Sequence, residues 1–261
     1  MVLLSISIVF ALIVTIGLPI MGAVWLNKRL NTTWQTVALG ALGYFIVQSL
    51  FTLLYSGIGF LSKGEFAANF FDSNSLAQIA INITLAAVLG VALRWAGLKY
   101  IKMPLINLQA AYGIGLGYGG VESITRFGLP LLMTFYTMLR NTNLQTSTLD
   151  PEIINQLETL WRTSPWIPLA GSVERITAMV IHITVTILVL QYFTRNKMVW
   201  LVAAAGLETV INLIIFGLMV FGSPPVWVFL IGILAIAGCF YLLYRLNAFY
   251  IGKTTSQNDT I

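Results

Sequence analysis

Seven stretches of mostly apolar residues follow one another along the chain, at residues 2–26, 34–61, 75–93, 105–139, 171–193, 198–221 and 226–246. Each is close to or above the roughly 20 residues that a helix needs to cross a bilayer. Polar positions gather in the short connections between them. The pattern predicts an all-α, polytopic membrane helix bundle of about seven transmembrane helices, forming one domain over residues 1–246. The fourth stretch is long enough to bend or split. The first has no basic residue before it and does not read as a typical secretory signal; its first charges, Lys28 and Arg29, follow it.

Only the segment 140–170 makes a long connection. Within it, Asp150-Pro151 reads as a helix start, with an acid at the cap and Pro at the first position. Ile153, Ile154, Leu157, Leu160 and Trp161 then recur at helical spacing. A short amphipathic helix is expected there, lying on the outer surface or over the bundle. Residues 247–261 read as a polar cytoplasmic tail.

Composition narrows the class. Hydrophobic residues make up 58% of the 261, and the 14 Lys or Arg and 9 Asp or Glu together only 9%. Ordinary soluble domains carry about 25% charged residues, so a soluble fold is excluded. In such a chain the net charge of +5 reports orientation and not nucleic-acid binding. Alternate connections hold Lys28, Arg29, Arg94, Lys99, Lys102, Arg195, Lys197, Arg245 and Lys253; the opposite set holds Lys63, Arg140 and Arg162. By the positive-inside rule the richer set is cytoplasmic, which puts the N-terminus out and the C-terminus in. A single Cys, Cys239, excludes an internal disulfide framework, and a single His, His182, excludes a multi-His zinc site and a bis-His haem within one chain.

Five charges remain inside the spans: Glu122, Arg126, Glu174, Arg175 and Glu208. Each costs on the order of 2.5–3.5 kcal/mol at a helix centre, so each needs a partner or a wet cavity. Glu122 and Arg126 are four apart and can pair. Glu174 and His182 share a face of the fifth helix, and Glu208 and Asn212 share one of the sixth. Buried carboxylates near one level suit general acid–base work. Gly113, Gly115, Gly117 and Gly119 form two overlapping GxxxG patterns, which let another helix approach closely.

These segments carry a resemblance. Gly117-Tyr-Gly-Gly-Val-Glu122-Ser-Ile, Glu174-Arg-Ile-Thr-Ala-Met-Val-Ile-His182 and Glu208-Thr-Val-Ile-Asn212 resemble the YhfC family, over about residues 80–215. That family is a branch of the superfamily of CAAX-processing and PrsW-type intramembrane proteases, which also includes Aph, the non-catalytic scaffold subunit of gamma-secretase. The resemblance implies peptide-bond hydrolysis within or near the membrane. It implies that a Glu pair on an earlier helix activates water, assisted by a His-x-x-x-Asn/Asp motif on a later one. The chain departs from this at three places: Gly90-Val91 stands where the Glu pair would be, Tyr118 where a His would be, and Glu208 at the motif His. Arg94 and Asn212 are retained.

Three functions follow as expectations. In the first, an intramembrane peptidase, Glu122 or Glu208 is the base, His182 and Asn212 position water or an oxyanion, Glu174 is a further candidate, and Arg126, Arg175 and Arg94 are structural ion-pair partners. The second is a catalytically degenerate scaffold or partner subunit, which the missing Glu pair and the double GxxxG favour. The third is a proton or cation transporter. No cofactor is expected, since one His with scattered carboxylates is a thin donor set and any metal is unknown. The expected partners are the lipid bilayer and a membrane-protein substrate or other membrane subunits, with no nucleic acid. The expected location is multi-pass in the plasma membrane of a prokaryote.

Overall fold

A computed structural model describes residues 2–61, 76–100, 107–140 and 151–249. Among these there is no strand. The helices are α1 (Val2–Leu30), α2 (Trp34–Leu61), α3 (Leu76–Tyr100), α4 (Leu108–Ser123), α5 (Leu129–Arg140), α6 (Pro151–Trp161), α7 (Trp166–Arg195), α8 (Val199–Val220) and α9 (Pro225–Arg245). Six are long and apolar enough to cross a membrane: α1, α2 over Trp34–Leu54, α3 over Gln78–Lys99, α7, α8 and α9. The expected count of seven therefore turns on α4 and α5. A π turn, Ile124–Gly128, joins them into one rod over residues 108–140. At ~1.5 Å per residue the rod is about 50 Å long, enough to span. Its glycines, Glu122 and Arg126 dilute its apolar character, so composition alone does not single it out.

The bundle is organised around α7. Its most apolar window is 72% buried, against 17–39% in the other five candidate spans. Ile181, Val185, Leu188 and Val189 of α7 pack with Val91 and Leu98 of α3, Ile114 of α4, Ala204 of α8 and Cys239 of α9. The hydrophobic effect cannot drive this packing in lipid, where the acyl chains are as apolar as the helices; close approach of small residues can. Gly113 and Gly117 face α2 and the turn before it. A Cβ on Gly113 would meet Thr32 and Thr36, and one on Gly117 the Val37 carbonyl. Gly115 and Gly119 face α7, against Ile183 and His182 and against Met179 and His182. The two GxxxG patterns are thus consumed within the chain, one by each neighbouring helix. They leave no glycine face for a partner subunit, and the support they lent to a scaffold role falls away.

The expected amphipathic helix is present as α6. Its Leu160 and Trp161 pack on Leu4, Ile8, Phe135 and Met138 of α1 and α5, so it lies on the bundle. Its expected cap, Asp150, and the tail from residue 250 lie outside the described residues.

One expectation is corrected here. The apolar pattern predicts a third span at 75–93, with Arg94 in the following connection and among its basic residues. The helix instead continues to Tyr100, because Trp95, Ala96, Gly97 and Leu98 extend the apolar run, and Arg94 is 3% exposed. Without Arg94 the two sets of basic residues number eight and three, and the sense of the asymmetry is unchanged.

Candidate active site

Four helices bring one charged or titratable side chain each to a common level. Arg94 comes from α3, Glu122 from α4, His182 from near the midpoint of α7 and Glu208 from near the midpoint of α8. Arg94, His182 and Glu208 are 3–4% exposed. His182 is the centre. Its Nε2 lies 2.7 Å from Glu122 Oε2, and its Nδ1 lies 2.8 Å from Arg94 Nη2. Arg94 Nη1 donates to Glu208 Oε2 at 3.4 Å. Beneath them, the Tyr118 ring centroid is 4.1 Å from the Arg94 guanidinium carbon and 4.8 Å from the imidazole. Tyr118 is held edge-on by Tyr44 of α2.

A second layer closes around Glu122. Its Oε1 accepts from Arg126 at 3.3 Å and lies 3.8 Å from Arg175 Nη1. Arg175 is also paired directly with its neighbour Glu174 and lies over the Phe127 ring. Glu174 therefore joins the cluster through Arg175 and does not touch His182. Three carboxylates face three guanidinium groups, so with a neutral imidazole the cluster carries no net charge. That balance makes its burial tolerable. Asn212 is half-buried, one turn beyond Glu208, and makes none of these bonds.

Backbone geometry sets the aim of Glu122. Immediately after it the chain enters the π turn, which faces a second π turn, Ile13–Gly17, in α1. Ser123 Oγ donates to the Thr15 carbonyl at 3.0 Å. Gly128 leaves room for Ile16. Four residues after Thr15 stands Pro19, which has no N–H to give the Thr15 carbonyl, and the Ser123 side chain satisfies it instead.

On its Arg94 and Tyr118 side the cluster borders a cavity. A cleft of about 300 Å³ lies among α2, α3 and α4. Arg94, Gly90 and Tyr118 form part of its wall, with Leu39, Gly43 and Ile46 across from them. Leu42 and Ile46 are 58% and 46% exposed, so the cleft opens sideways between α2 and α3.

The same residues do not fit a metal ion. Catalytic zinc takes three protein ligands. Glu122 and Glu208 sit at opposite ring nitrogens of His182, so an ion at either nitrogen gains one carboxylate at most. Among the described residues, no group of three or more His, Cys, Asp or Glu side chains is arranged to hold one.

Of the candidates named from the sequence, Glu122, His182 and Glu208 are brought together here, and two residues that the sequence marks less strongly join them. Arg94 appeared only as an ion-pair partner, and Tyr118 only as a departure from a motif. The signal for Arg94 was the apolar Trp95–Leu98 run that follows it. Tyr118 lies one helical turn before Glu122 and therefore on its face.

Neither the curated proteins nor the solved structures hold a significant match to the chain. A protein-family model does match, over residues 13–239, which take in every residue of the cluster. The chain belongs to the family described as YhfC intramembrane metalloprotease.

Proposed function

We propose that this multi-pass membrane protein is an intramembrane peptidase whose reacting centre is Arg94, His182, Glu122 and Glu208. One observation carries the reading: the four groups converge from four helices, and Arg94 also lines a cleft open to the side. The family name implies a metal, but the donor set does not fit one, so every step is assigned to this chain's own residues.

Glu122 is a poor base here. It accepts from His182 and Arg126 and lies beside Arg175. Glu208 holds a single long bond from Arg94, which leaves most of its lone pairs free. Glu208 therefore takes the proton as water attacks the peptide carbonyl. Arg94 donates to the developing oxyanion, the kind of preorganised donor that lowers such barriers most. The C–N bond then breaks, and Glu208 returns the proton to the leaving amine. His182 and Glu122 hold Arg94 in place.

A panel of tagged transmembrane substrates tests this in proteoliposomes. Glu208→Gln is expected to lower cleavage by about 100-fold or more, the usual scale for a general base. Glu122→Gln and His182→Ala lower it through misplacement of Arg94. Unchanged turnover in all three variants would sink the reading.

A second reading is kept because every carboxylate in the cluster is offset by an arginine. A non-catalytic scaffold needs only that. It predicts no cleavage of any substrate and stoichiometric copurification with a larger membrane complex from native membranes. For either reading we propose that residues 108–140 make the seventh crossing, that the N-terminus is outside and that the membrane is a prokaryotic plasma membrane. The basic asymmetry of the connections supports the orientation.

A further inference from the structure

We infer that Arg94 fixes the tautomer of His182 and closes the imidazole to metal, so that the centre is organised around a guanidinium. The argument starts from donor chemistry. A guanidinium has only donors. At 2.8 Å from Arg94 Nη2, the His182 Nδ1 must therefore be the acceptor. The ring proton then sits on Nε2, where it is donated to Glu122 Oε2 at 2.7 Å. Glu122 as a carboxylate has only acceptors, which agrees with this direction. A ring protonated at both nitrogens would point an N–H at an N–H across 2.8 Å. Glu208 Oε1, at 3.5 Å from Nδ1, is too far to compensate.

Metal ligation needs a free imidazole lone pair. In this arrangement Nδ1 spends its lone pair on Arg94, and Nε2 carries the proton. Both positions are closed. The surroundings hold Arg94 there. The Tyr118 ring lies under the guanidinium, and Gly90 provides the space, since a Cβ at Gly90 would come 3.0 Å from Nη1. Arg94 Nε makes no hydrogen bond, so the guanidinium is held through its two Nη groups and the ring below it. Arg94 thus orients His182 in addition to its proposed role toward the oxyanion, and this orientation stands whether or not the protein hydrolyses peptides.

The chain has one histidine. Selective ¹⁵N-histidine labelling therefore reports His182 alone, in the full chain in nanodiscs near neutral pH. The expected spectrum shows a protonated, pyrrole-type nitrogen at Nε2 and an unprotonated one at Nδ1. Equimolar zinc leaves it unchanged, and metal analysis of the purified protein finds far less than one ion per chain. Arg94→Lys keeps a donor at Nδ1 and keeps this tautomer. Arg94→Met frees Nδ1 and makes the spectrum respond to zinc. The inference is overturned by a proton on Nδ1, by a wild-type spectrum that zinc shifts, by stoichiometric metal that His182→Ala loses, or by an Arg94→Met spectrum identical to wild type. Should Arg94→Met not fold, the wild-type spectrum and the metal analysis decide alone. Cleavage assays play no part, so failure here is distinct from failure of the peptidase reading.

Discussion

At the scale of single residues, the glycines of α4 show how little space the bundle leaves. A Cβ at Gly117 would overlap the Val37 backbone, which cannot move aside as a flexible side chain can. At Gly206 of α8 the same Cβ meets nothing within 4 Å. The two positions make a matched pair. Gly117→Ala is expected to destabilise by about 1–3 kcal/mol, the usual range for overpacking. Gly206→Ala stays within about 1 kcal/mol of wild type, because helix propensity is then the only change. Reversible unfolding in mixed micelles measures both; equal effects would mean that close packing of α4 on α2 is not what the glycines supply. The GxxxG pattern was legible in the sequence, but its use was not. Spacing shows that a helix comes close and does not say which one, because an internal neighbour and a partner subunit present the same surface. Arg94 was misread for a related reason. A charge at the end of an apolar run looks like a boundary, yet Glu208 lies far away in sequence, and no local pattern reveals it.

At the scale of elements, the two π turns deserve more weight than their five residues each suggest. They pack on one another beside Glu122. Ser123 fastens them across 108 residues of sequence by its bond to the Thr15 carbonyl. Thr84 of α3, by contrast, is exposed and bonds back to Ala80 in its own helix. Ser123→Ala is therefore expected to cost about 1 kcal/mol, the net value of one hydrogen bond, with a further contribution from the buried carbonyl it leaves unpaired. Thr84→Ala should cost distinctly less. Equal losses in thermal unfolding would show that the turns are not coupled through Ser123. Apolar periodicity carries no mark of a π turn, so the break in residues 108–140 was visible only as excess length. The amphipathic α6 was legible because its apolar residues recur at helical spacing and a Pro opens it, both local signals.

At the scale of the whole molecule, the orientation of the bundle decides where any substrate meets the cleft. Arg94 and Gly97 lie toward the end of α3 that carries Lys99, and Leu39 lies toward the start of α2, just after Lys28 and Arg29 in the chain. These lysines and the arginine belong to the richer basic set, so the cleft runs from mid-depth toward the cytoplasmic face if that set is inside. The single cysteine makes the orientation measurable. Cys239 is buried at 1% exposure, and Cys239→Ser gives a background with no thiol. Ser164, between α6 and α7, and Lys197, between α7 and α8, are exposed and lie at opposite ends of α7. In intact cells a membrane-impermeant maleimide should label Ser164→Cys. Lys197→Cys should react only after permeabilisation. The reverse pattern would place the N-terminus inside and turn the cleft toward the outer face. Labelling of both in intact cells would mean that α7 does not cross, which its 30 residues and central burial argue against.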